Sequence, residues 1–105
     1  MIHIQDITSK EIMHGCFGRF IHGERSSLAF WEIKKGSIFK EHAHLHEQIT
    51  YVLEGEMEMV IGGQKYLFTP GTTHVINPYT PHSALALTDC KVIDAFSPPR
   101  EDYRV

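Results

Sequence analysis

Three histidines at alternate positions, His42, His44 and His46, sit in a stretch that reads as strand on both sides, Gly36 to Gly55 (GSIFKEHAHLHEQITYVLEG). In an extended strand, residues two apart project to the same face. His42 and His44 therefore aim two imidazoles into one cavity, and two imidazoles on one rigid strand make half of a metal site. Gln48 opens the apolar-rich run that follows and can supply an oxygen from the facing strand. Exposed alternating histidines also occur without a ligand, so the pair alone leaves a plain surface reading open. A shifted pair, His44 with His46, competes with it, while Glu47 has the wrong parity.

Around this stretch the chain reads as short strands separated by turns. Met1–Ile4 is a candidate edge strand, and residues 14–23 (HGCFGRFIHG) carry three glycines, so turns are expected to interrupt them. Leu28–Ile33 is rich in aromatic and branched residues. Residues 34–37 turn the chain, and a strand from Ile38 leads into the histidines. Strands follow at 48–54 and 56–61, joined at Gly55. Gly62-Gly63 is a hairpin signal, because a type I′ turn needs positive φ at both central residues. A return strand at 64–68 and a turn at 69–71 precede strands at 75–77, 83–87 and 91–96, with a constrained loop at 78–81. Ser97–Arg100 (SPPR) cannot join a central ladder, since proline lacks the donor. No long helical period appears, so the pattern implies a sandwich or barrel.

Composition narrows the function classes. The chain has 105 residues, enough for one domain over residues 1–105. Its net charge of −3 gives no basic footprint for nucleic acid. No apolar run is long enough to span a membrane, and MIHIQDITSK does not read as a secretory signal. Two cysteines, Cys16 and Cys90, make a poor disulfide framework and fit a reducing, cytoplasmic setting. Arg19 and His22 read more simply as solvated surface; the functional alternative sets Arg19 over a cavity mouth as an anion contact. His74 reads as an outward-facing strand residue.

The spacing from Gly36 through His42, His44 and Gln48 to Gly55 resembles the first motif of the cupin family, with Gln48 where that motif has glutamate. The second motif is matched by Gly71–His82 (GTTHVINPYTPH). Asn77 and Tyr79 replace the usual Pro and Gly, and Ala86 the usual Asn. The resemblance implies an all-β, single-domain jelly-roll barrel. It makes His82 the fourth ligand beside His42, His44 and Gln48, and places His46 and Glu47 in the turn between ligand strands. Three imidazoles and an amide are neutral, so a divalent ion keeps its full charge and acts as a stronger Lewis acid than with a glutamate ligand. The donor set does not select among nickel, zinc, manganese, cobalt and iron.

The last strand carries a second constellation. In VIDAF, Val92, Asp94 and Phe96 share a face, and a carboxylate between apolar neighbours suits a cavity wall and proton transfer. Because both faces of this strand are apolar, Asp94 facing water is equally allowed. Arg100 can clamp a carboxylate with its planar fork, although an ordinary surface arginine is the simpler reading. The blocks HAHLHEQITYVLEGEMEMVIGG and NPYTPHSALALTDCKVIDAFSPPRED resemble, within the cupins, the KdgF family of pectin degradation. That resemblance implies conversion of 4,5-unsaturated uronates, from pectin or alginate lyase products, to the linear 5-keto-4-deoxyuronate. It gives one divalent ion per chain, and Asp94, Phe96 and Arg100 as the other active-site positions. The alternatives are a metal-dependent cupin dioxygenase and a non-catalytic sugar-binding module. A homodimer is expected, because small jelly rolls hide edge strands by pairing.

Overall fold

Alternating burial runs through most of the strands and decides how they stack. The computed structural model describes residues 1–104. Its strands are β1 (Lys10–Met13), β2 (Cys16–His22), β3 (Ser27–Ile33), β4 (Ile38–His42), β5 (Glu47–Glu54), β6 (Met57–Ile61), β7 (Gln64–Phe68), β8 (Thr73–Ile76), β9 (His82–Ala86) and β10 (Cys90–Ser97). In β3, Ser27, Ala29, Trp31 and Ile33 are buried while Leu28 and Glu32 are exposed. In β10, Cys90, Val92, Asp94 and Phe96 are buried. Such faces must meet another apolar face, and two sheets do so here. One sheet has the order β1-β2-β3-β10-β5-β8 and the other β4-β9-β6-β7, antiparallel throughout. This is the jelly-roll arrangement expected of the chain.

The core lies between the sheets and includes Trp31, Val52, Met57, Met59, Phe68, Ile76, Val92 and Phe96. Cys16 and Cys90 are buried free thiols that flank Ile33 in register, on β2 and β10 either side of β3. Gly55 carries the chain from β5 in the larger sheet to β6 in the smaller one, at φ 85°. Gly62 and Gly63, both at positive φ, close the β6–β7 hairpin as expected.

Three local expectations are corrected. Met1–Ile4 is not an edge strand: Met1 and Ile2 are exposed, Ile4–Asp6 forms a 3-10 turn, and β1 takes the sheet edge with Ile12 and Met13 against the core. The glycines of residues 14–23 interrupt them only in part: His14-Gly15 is a turn and Gly23 follows the strand Cys16–His22, but Gly18 lies inside it. Only glycine fits at position 18, because a Cβ would overlap the Phe20 ring and come within 2.9 Å of the Trp31 ring. His74 points inward, sharing a face with buried Ile76, and packs against the rings of Tyr66 and Phe68.

Gly55→Ala tests the crossing between sheets. A Cβ would overlap the Asp89 carbonyl oxygen and lie 2.8 Å from Cys90 Sγ, at a left-handed φ. Chemical denaturation should show a loss of about 2–4 kcal/mol.

Candidate metal centre

Strand register assembles the site from both sheets. On the smaller sheet, β4 ends beside β9 with His42 opposite His82. On the larger sheet, β10 lies between β3 and β5, so Phe96 stands opposite Gln48 and Asp94 opposite Thr50. His44 is not on the strand that carries His42. It lies in the β4–β5 connection, held where its carbonyl accepts from Tyr79 N at 2.7 Å, and Tyr79 itself has φ 64°. The histidines therefore meet through a crossover between sheets rather than by the parity of a single strand. A cavity between the sheets is lined by His42, Gln48, Thr50, His82, Asp94 and Phe96, with Trp31, Arg100 and Tyr103 among its other walls.

The ligand atoms of His42, His44 and His82 lie within 4.8 Å of one another. Each imidazole is braced through Nδ1 by a backbone carbonyl: Lys40 O at 2.7 Å for His42, His46 O at 3.1 Å for His44, and Thr80 O at 2.8 Å for His82. A carbonyl only accepts, so each Nδ1 carries the hydrogen and each Nε2 keeps a lone pair. His82 Nε2 is buried with no partner among the described residues. His44 Nε2 faces Gln48 Oε1 at 3.0 Å, which sets two lone pairs against each other in the neutral form. A cation between such groups removes the conflict. A proton is a poor choice, because burial lowers the pKa of His82 to about 4 and, with Arg100 nearby, also lowers that of His44. The residues therefore fit a divalent ion, which His42, His44 and His82 would hold together with Gln48.

Asp94 lies on the inner face, which removes the reading in which it faces water. Its Oδ2 accepts from Trp31 Nε1 at 3.0 Å and its Oδ1 from Thr50 Oγ1 at 2.7 Å. Burial raises its pKa to about 6, against the opposing pull of these bonds. Gln48 Nε2 donates to Thr50 Oγ1 at 2.9 Å, so one line of hydrogen bonds joins the imidazole group to the carboxylate. Trp31 and Thr50 were not singled out from the sequence. Thr50 had a readable signal, since it lies two residues after Gln48 and shares its face.

Arg100 is a buried residue, not an ordinary surface arginine. Its guanidinium lies 4.6 Å from the Phe96 ring centre and 4.0 Å from that of Tyr103. It donates to both carboxylate oxygens of exposed Asp102, at 2.9 and 2.8 Å. The fork already holds a carboxylate, though one from its own chain. Arg19 is not at the cavity mouth: it donates to Ile7 O and pairs with Glu32. His22 contacts Ser27 Oγ at 2.7 Å. His46 lies beside the Phe96 ring with its Nε2 3.2 Å from Pro99 O, outside the three-imidazole group.

Thermal melts with and without nickel or zinc test the centre. At a hundredfold the dissociation constant, an ion that binds only the folded protein adds about 2.7 kcal/mol. The upward shift should be present in the wild type and absent in His82→Ala.

Comparison with known proteins agrees with this geometry. A family model for the cupin domain matches residues 29–96. The pectin degradation protein KdgF of Dickeya dadantii is 38% identical over 71 residues, 66% of this chain and 64% of that protein. The chain thus spans just under two thirds of that curated relative. An L-ectoine synthase of Teredinibacter turnerae is 30% identical over 69 residues, 64% of this chain and 52% of the synthase. The solved structure of KdgF from a Halomonas species superposes with a TM-score of 0.91 at 30% identity, covering 97% of this chain and 96% of that one. With the cupin match over most of its length and the KdgF likeness over nearly all of it, the chain belongs to the cupin superfamily and, within it, to the KdgF family.

Proposed function

We propose that this chain is a metal-dependent enzyme that opens and ketonises 4,5-unsaturated uronates to the linear 5-keto-4-deoxyuronate. The observation that carries the reading is a buried, hydrogen-bonded carboxylate, Asp94, in a cavity lined by His42 and His82, two of the three grouped and braced imidazoles. The likeness to a pectin degradation protein supports the choice of substrate class. The reaction is an isomerisation. The anomeric hydroxyl gives up its proton, the bond from C1 to the ring oxygen breaks, and C1 becomes an aldehyde. The released enol then gains a proton at C4 as C5 becomes a ketone, so atoms balance without a co-reactant.

When bound, a divalent ion supplies Lewis-acid stabilisation of negative charge on oxygen. The residues His42, His44, Gln48 and His82 would hold it. Asp94 does the proton work: with a pKa of about 6 it accepts a proton near neutral pH and returns one without a large energetic cost in either direction. Trp31 and Thr50 hold both its oxygens, which fixes the direction from which it reaches the substrate. Phe96 walls the cavity beside Gln48 and packs under the Arg100 guanidinium. Arg100 offers a planar fork to an anionic or hydroxyl group of the substrate in exchange for Asp102, whose exposed carboxylate is readily solvated on release.

The test follows loss of ultraviolet absorbance of the conjugated double bond in unsaturated monouronate freshly released by a lyase. The compound also rearranges unaided, so metal-loaded wild type is compared with chelated protein and His82→Ala. Acceleration confined to the loaded wild type supports the reading, and rates equal to the blank overturn it. Asp94→Asn should keep its metal and lose on the order of 10²–10⁴ in kcat. Asp94 must be ionised to accept the first proton. The wild-type rate should therefore rise with pH through about 6, with bound ion measured at each pH to separate loss of metal.

A further inference from the structure

The line of hydrogen bonds between the imidazoles and Asp94 passes through a single hydroxyl. Thr50 Oγ1 lies 2.9 Å from Gln48 Nε2 and 2.7 Å from Asp94 Oδ1, and Thr50 is among the most completely buried side chains. A hydroxyl has one proton to donate. The ionised Asp94 carboxylate only accepts. Once the Thr50 proton is given to Asp94, the Gln48 amide must present its NH₂ group to Thr50. Its carbonyl oxygen then has one direction left, toward His44 Nε2.

We propose that Thr50 is a positioning residue whose hydroxyl, held between Asp94 and Gln48, dictates that the oxygen of the Gln48 amide faces the metal-binding imidazoles. The inference rests on the reading of Gln48 as a metal donor and Asp94 as the proton carrier. It also accounts for an amide at position 48. A glutamate there would accept only, and two carboxylates would compete for the one Thr50 proton. With glutamine, every partner along the line has a role that matches its chemistry, and the orientation of the metal donor is tied to the orientation of the proton carrier.

The test uses Thr50→Val, which keeps the side-chain volume without the hydroxyl, and Thr50→Ser, which keeps the hydroxyl. Nickel(II) is titrated into each apo protein against a chromophoric chelator. Thr50→Val should bind nickel about ten- to a hundredfold more weakly, with Thr50→Ser close to wild type. On the uronate, Thr50→Val should lower kcat at a KM within about threefold of wild type. Wild-type nickel affinity in Thr50→Val overturns the inference, as does an equal loss in Thr50→Ser. Should Thr50→Val fail to fold, as judged by circular dichroism, Thr50→Cys retains the size with only a weak donor and should weaken nickel in the same direction. The nickel contrast stands without turnover. Wild type that shows it but leaves the uronate unchanged overturns the proposed function and supports the positioning role. Wild type that turns over, with Thr50→Val binding nickel normally, does the reverse.

Discussion

A carboxylate stands in the apolar layer between two sheets, and the arrangement of the site depends on how it is accommodated. Burying an unpaired charge is costly, and that cost is reduced only by donors aimed at each oxygen. Asp94 receives Trp31 from one neighbouring strand and Thr50 from the other. Both donors exist because β10 lies between β3 and β5, so every inward side chain of β10 has a neighbour on each side. The order of strands, rather than any local sequence, decides which groups meet the carboxylate.

The two sheets contribute unlike parts. The smaller sheet brings His42 and His82 side by side at the cavity, and the larger brings Gln48, Thr50, Asp94 and Phe96. His44 sits on the connection between them, so it takes its position from both. His42 and His82 are therefore held by one layer and the Asp94 carboxylate by the other. The hydroxyl of Thr50 and the amide of Gln48 join them. Arg100 and Tyr103 close the same space from the chain's C-terminal segment, where stacking on Phe96 keeps a guanidinium largely out of water.

Much of this was readable from residues alone, for a physical reason. Runs of branched and aromatic residues bounded by turn signals located β3, β5, β6, β7 and β10 nearly to the residue. The alternate spacing brought His42 and His44 forward and the cupin resemblance added His82, and the structure groups their ligand atoms. What failed were positions decided by contacts far away in sequence. Gly18 looked like a turn residue, yet it is a strand residue making room for two rings. His74 looked outward until its neighbours Tyr66 and Phe68 were placed. The face of Asp94 was undecidable in a strand apolar on both sides, and only pairing with β3 and β5 resolves it. Arg100 seemed superficial because its stacking partner Tyr103 lies in a tail with no periodicity to read.

The carbonyls behind the three imidazoles have a further consequence. Lys40, His46 and Thr80 each lie two residues from the histidine they brace, so the brace is part of the local backbone and forms when the strands form. The rings lose their rotational freedom during folding, not at the moment of capture. For each side chain already immobilised, association is spared on the order of 0.5–1.5 kcal/mol of ordering entropy. The fold thus presents a stiff set of donors. A stiff chelator discriminates by the coordination shape it offers more than by the number of donors it gathers.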